Sequence, residues 1–187
     1  DQEEQEPYLK VSSAIHFRRR VGWVVSLFIA SFFSGYIMHS NHYWIKRLPF
    51  LALYMTTIND LGGNIASQVA MLLIRAMTLR QVFLKDFLQI IAKEVKIALF
   101  FAGCFFTLAL VKVCFLSGDF ELSQMAFTVS ISIALQAFTA TIIGAILPLF
   151  VHWLGKDPAL AASPIITTVV DITGTLIYFN IAKLICG

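Results

Sequence analysis

Two aspartates stand in runs of residues that otherwise carry no charge: Asp171 in SPIITTVVDITGTLIYF and Asp60 in TTINDLGGN. An ionisable side chain at membrane depth costs about 2.5–3.5 kcal/mol on insertion scales, so such a residue marks a functional site by default. Pro164 and Pro49 open the two segments, and helical rise then places Asp171 about 10 Å and Asp60 about 16 Å along their helices. Thr167, Asp171 and Thr175 follow each other at i, i+4 spacing and share a helix face. Thr168 adds a further hydroxyl, and Gly174 permits close backbone approach. Threonine and glycine alone are ordinary glue between membrane helices. Asp171 asks for more, because no cationic partner stands at membrane depth in the sequence. After Asp60 come Gly62, Gly63 and Asn64, then Ser67 and Gln68. The glycine pair predicts backbone flexibility and a bend, which membranes tolerate where the chain lines a wet cavity.

Carboxylate, amide, hydroxyl and carbonyl oxygens are hard ligands, suited to Mg²⁺ or Ca²⁺ rather than to thiolate-seeking metals. A site with few carboxylates and many neutral oxygens suits an ion that keeps its water, and a conducting site must also release it. The residues therefore point to a cation pathway, divalent or monovalent, with no resident cofactor and no enzyme chemistry. A proton- or sodium-coupled transporter is the alternative, since a buried carboxylate titrates or binds Na⁺ equally well. An intramembrane aspartyl protease is a distant third. Two embedded aspartates can share a proton, but the Tyr-Asp and Gly-x-Gly-Asp signatures are absent. The glycines form no phosphate loop, lacking Gly-Lys-Ser/Thr. His39 and His42 have a metal-capable spacing, yet Tyr43 and Trp44 beside them read better as an interfacial aromatic belt. Cys104, Cys114 and Cys186 are scattered and odd in number, so they predict packing rather than disulfides.

These side chains need helices to hold them. Of the 187 residues 58% are hydrophobic and 13% charged, against about 25% charge in soluble domains. That excludes a soluble enzyme, a disordered chain and a soluble nucleic-acid binder. A spanning helix takes about 20 apolar residues, and five stretches qualify: 21–38, 48–77, 97–116, 125–153 and 164–185. The predicted fold is an all-α membrane protein of five transmembrane helices in contact with lipid. With the N-terminus inside, ten of the Lys and Arg residues fall on inner segments and four on outer ones, as the positive-inside rule requires. Basic residues here orient the chain, and nothing further suggests nucleic acid. Residues 1–20 read as a cytoplasmic linker or plug, with an amphipathic helix over 8–17, and 21–187 as the membrane domain. A second amphipathic helix, a connector, is predicted over 80–96. A start at Asp1 without Met is expected of a piece of a longer protein.

The stretch GAILPLFVHWLGKDPALAASPIITTVVDITGTLIYF resembles the signature of the MgtE-type magnesium channels, and LGGNIASQVAMLLIRAMTLRQV resembles that family's second-helix motif. The likeness covers most of 61–178. It implies a homodimer in the cell (inner) membrane whose helices surround a Mg²⁺ pore, passing the hydrated ion down its gradient. It also implies an N-terminal domain and paired CBS domains outside this sequence that sense Mg²⁺. Without them the chain is expected to conduct unless residues 1–17 plug the inner mouth. By the same likeness Asp171 is the pore carboxylate and Asn64 a polar pore residue. The residues themselves, rather than the likeness, add Thr167 and Thr168 to this set, with Asp60, Gln68 and Thr175 as candidate additional cation contacts and Asp60 alternatively a structural partner of a neighbouring helix. The pattern assigns no role to Asp60, and Ala66-Ser67 departs from the usual Gly-x-Gln. A dimer also presents each residue twice about a two-fold axis.

Overall fold

The computed structural model describes residues 11–117, 122–155, 157–158 and 164–187. Among them the chain is helical, without strands: α1 (Ser13–Ser40), α2 (His42–Arg47), α3 (Phe50–Thr78), α4 (Phe87–Ser117), α5 (Leu122–Trp153) and α6 (Pro164–Cys186). Three helical stretches, Leu84–Phe115, Gln124–Trp153 and Ile165–Cys186, are long and apolar enough to cross a membrane. The apolar part of α1, Val24–Ser40, is shorter, and α3 carries a polar middle from Thr56 to Gln68. The chain is a membrane protein.

Helix α5 is the centre of the bundle and packs on α3, α4 and α6, while α3 also packs on α6 and α1 lies against α6. Apolar residues cover α5 on all sides, as befits a helix enclosed by others. It continues through Pro148, although proline deletes one bond of the helical ladder. Small residues let α5 approach α3. A Cβ on Gly144 would stand 2.5 Å from the Ala66 carbonyl oxygen and 2.8 Å from Ala66 Cα. Close backbone approach of this kind is the usual way membrane helices gain van der Waals contact.

Three sequence expectations change. Helix α3 runs unbroken through Asn-Asp-Leu-Gly-Gly-Asn, so the interruption expected at Gly62 and Gly63 does not unwind the helix. Both glycines are buried, and their missing side chains admit groups from neighbouring helices. The connector expected over 80–96 is not a separate helix either. A turn follows α3, then a 3-10 turn at Leu84–Asp86, and α4 begins at Phe87 and continues into the third apolar stretch. Continuity wins because Phe87, Ile90 and Ile91 extend the apolar pattern of α4 with no breaker between. The third concerns cysteines: Cys104 and Cys114 are exposed on the bundle surface rather than packed, and Cys186 is half-buried. A lipid-facing surface accepts a thiol as readily as a core does.

Residues 8–10 of the amphipathic segment expected over 8–17 lie outside the described residues, and from Ser13 the chain is already α1. At the other end of α1, Tyr43 and Trp44 meet edge to face with centroids 5.7 Å apart, and the Arg47 guanidinium lies 5.6 Å from the Trp44 ring. These contacts stand beside His39 and His42. Helix α3 closes in a Schellman turn: Gln81 N–H donates to the Ala76 carbonyl at 2.9 Å and Arg80 N–H to Met77 at 2.9 Å. Arg80 takes the left-handed position at φ 56°, where glycine is the usual occupant.

The buried side chains fall into two apolar clusters. One contains Leu51, Tyr54, Met55 and Ile58 of α3 with Val129, Ile133, Tyr178 and Phe179. The other contains Ile65, Ala66, Val69 and Leu73 of α3 with Ala137, Leu149, Ile166 and Val170. Between Ile58 and Ile65 on α3 there is a gap of about 10 Å by helical rise. Asn59, Asp60, Gly62, Gly63 and Asn64 occupy it, level with Gln136 of α5 and with Asp171, Gly174 and Thr175 of α6.

Candidate functional site

This middle layer has an inward and an outward side. On α3, Thr56, Asp60, Asn64 and Gln68 are all exposed and stand at successive i, i+4 positions, so they form one polar stripe along the helix. The surface elsewhere is mostly large and apolar, as at Phe28, Phe32, Phe33, Leu99 and Phe100. On α6, Asp171, Thr167 and Thr168 are each half-buried. The Asp60 and Asp171 carboxylates lie within electrostatic reach of each other, which joins the α3 stripe to α6. A Cβ added to Gly63 would sit 3.5 Å from Thr167 Cγ2, so the absent side chain brings α6 close at the level of Asn64.

Thr175 is placed differently from expectation. It shares helical spacing with Asp171, yet it is 1% exposed and its hydroxyl accepts from Asn59 Nδ2 at 3.5 Å. It belongs to the inward side and does not join the exposed and half-buried set around Asp60 and Asp171. The physical reason is that i+4 neighbours differ by about 40° around the helix, enough at the edge of a packed face to turn one inward. Gln68 stays on the stripe but also lines a cleft of ≈ 320 Å³ between α3 and α4, with Lys93 and Glu94 opposite.

Two residues of this layer were missed by the sequence pattern. Gln136, 0% exposed, donates from Nε2 to the Val170 carbonyl at 2.9 Å. Asn59 turns inward with its Oδ1 buried and without a partner. A lone amide in SISIALQAF was the available signal for Gln136. Its burial could not be read, because α5 is apolar on every face.

Chemically, the outward side offers two carboxylates, an amide-bearing stripe and threonine hydroxyls on one face at mid-bundle. Among the described residues, no three His, Cys, Asp or Glu side chains come together to hold a metal, and that includes His39 and His42. Hard oxygens and few charges fit a cation that keeps part of its water.

The pattern of the MgtE family, described as a divalent cation transporter, matches residues 55–181. The chain is 32% identical over 166 residues to the magnesium transporter MgtE of Thermus thermophilus, covering 89% of this chain and 36% of that protein. It is 31% identical over 165 residues to the magnesium transporter MgtE of Bacillus subtilis, covering 88% and 36% respectively. A third magnesium transporter MgtE, from Enterococcus faecalis, is 25% identical over 167 residues. The chain thus spans 36% of the length of these curated relatives. The match runs from Met55 in α3 through the polar stripe to Ile181 in the Asp171 helix, and on that ground the chain belongs to the MgtE family of divalent cation transporters.

Proposed function

We propose that two copies of this chain form a Mg²⁺ channel pore in the cell (inner) membrane. Five helices of each copy, α1, α3, α4, α5 and α6, cross it with the N-terminus inside. The observation that carries this reading is the exposed stripe Thr56, Asp60, Asn64 and Gln68 beside Asp171. Lipid is a poor neighbour for an aspartate at that depth, so the stripe calls for a second protein surface or a column of water. A two-fold axis beside α3 and α6 supplies both, and it doubles every ligand. Facing Asp171 carboxylates then attract a divalent ion, while Asn64, Thr167 and Thr168 hydrogen-bond its retained water. Asp60 adds negative field one step away. With no complete chelate, the ion is held weakly enough to leave. The relatives' names supply magnesium as the cargo, and the residues supply hard oxygens suited to a cation that keeps its water.

The deciding experiment is Mg²⁺ flux into liposomes for the protein and for Asp171→Asn, which keeps size and removes charge. The channel reading expects flux down the Mg²⁺ gradient with no pH gradient, and a loss of at least about tenfold in the variant. Unaltered uptake in Asp171→Asn would sink the pore assignment. Flux that disappears when the pH gradient is collapsed would favour the proton-coupled transporter.

A further inference from the structure

Gln136 is the polar side chain on which three helices converge. It lies at the boundary between the two apolar clusters and is 0% exposed. Its Nε2 donates to the carbonyl of Val170 at 2.9 Å, the residue that immediately precedes Asp171. Its Oε1 lies 3.4 Å from the Thr139 hydroxyl. Two glycines make room for the amide. A Cβ on Gly174 of α6 would stand 2.6 Å from Nε2, and one on Gly62 of α3 would collide with the same nitrogen and lie 2.8 Å from Val170 Cγ1. The amide of α5 is thus seated between a glycine of the Asp60 helix and a glycine of the Asp171 helix, and it is bonded to the turn that carries Asp171.

We propose that Gln136 is the positioning residue of the conduction path, setting the rotation and depth of α6 so that Asp171 stands beside the α3 stripe. This rests on the reading of Asp171 as the pore carboxylate. Gln136 has no exposed atom to offer a cation, so it acts through Asp171 and not on the ion. A seam of apolar side chains would hold the helices together by van der Waals contact alone, and such contact tolerates small rotations. A buried amide does not, because an unmet donor inside the bundle carries a desolvation cost. The bond to Val170 therefore selects one rotation of α6 among those that the packing allows.

The test is Mg²⁺ flux into liposomes over a range of Mg²⁺ concentrations, which separates half-saturating concentration from maximal flux. Gln136→Met keeps the length of the side chain and removes the donor, and Gln136→Leu removes it with a stiffer side chain. Gly174→Ala retains Gln136 but displaces its amide. Ile58→Ala, in the apolar cluster, serves as the purely structural control, and Asp171→Asn is measured in parallel. The proposal expects each folded variant at Gln136 or Gly174 to raise the half-saturating Mg²⁺ by about fivefold, the effect of one misdirected buried bond. Ile58→Ala should lower maximal flux through loss of folded protein and leave the half-saturating concentration alone. The three routes keep the test open if one variant does not fold. An unchanged half-saturating concentration in the Gln136 variants would overturn the proposal, as would a response that matches Ile58→Ala in kind. If Asp171→Asn transports normally, the pore reading fails, an outcome separate from any result at Gln136.

Discussion

The middle layer of the bundle and the two apolar clusters that flank it are built from the same helices and meet opposite demands. In the clusters, α3, α5 and α6 close around Ile58, Val129 and Phe179 on one side and Ala66, Leu149 and Ile166 on the other, all of them buried. Apart from the Tyr178 hydroxyl, which donates to the Phe50 carbonyl at 3.2 Å, the contacts there are apolar, and small residues such as Ala66 and Gly144 bring the backbones together. In the layer between, Gln136 bonds Val170, Asn59 bonds Thr175, and Asp60 and Asn64 are exposed. Direction is everything there. The Gln136 amide and the Asn59 Nδ2 face partners, while Asp60 is exposed and Asp171 half-buried. The clusters hold the helices at the right distance, and the layer sets their rotation. Stability and function should accordingly separate between the two regions.

The sharpest way to break that comparison is Gly144→Leu in the apolar region. Its first added carbon already meets the Ala66 backbone at 2.5 Å, which cannot yield as a side chain can. Overpacking of this kind should cost about 3 kcal/mol or more and leave little folded protein on size-exclusion chromatography. Next comes Ile58→Ala, which empties a site with 0% exposure. Thermal unfolding in detergent should report a loss of about 3 kcal/mol, with the Mg²⁺ concentration dependence of the remaining protein unchanged. A shift in that dependence would show that the two regions are not separable.

Asp171→Asn tests the other side. Flux should fall by at least about tenfold, the equivalent of about 1.4 kcal/mol, while the unfolding temperature stays level or rises, since removing one of two neighbouring carboxylates relieves like-charge repulsion. A variant that loses stability and flux together would place Asp171 among the structural residues. The smallest effect is expected outside both regions. Arg80→Gly relieves the left-handed conformation at the end of α3 and should stabilise the protein by about 1 kcal/mol, with transport untouched.

Much of this was legible in the residue pattern. Long apolar runs between charged flanks announce helices of membrane length, and Asp60 and Asp171 stand out because charge is rare around them. The exposed stripe on α3 was not legible, because Gly62 and Gly63 signalled a bend that would have broken its i, i+4 spacing. What could not be read is the orientation of each face. The apolar face of a soluble helix tells which side is buried, but in a membrane bundle the buried and lipid-facing sides are both apolar. So Thr175 looked equivalent to Asp171 and is in fact turned inward. Gln136, one amide in a helix apolar all round, gave no hint that it meets two glycines. The glycines misled for a related reason. Gly-Gly signals a bend or a close approach alike, and only the presence of Gln136, Val170 and Thr167 across the gap decides for close approach.

The sequence by itself therefore determined the membrane setting, the all-helical fold and the two carboxylates that stand out within it, because these depend on composition and on spacing along one helix. The tertiary structure alone decided which polar groups face inward, that α3 stays unbroken, and that one amide from α5 touches the turn bearing Asp171. Those outcomes depend on contacts between residues as far apart as Gly62, Gln136 and Gly174, and no local pattern encodes which faces of three apolar helices will meet.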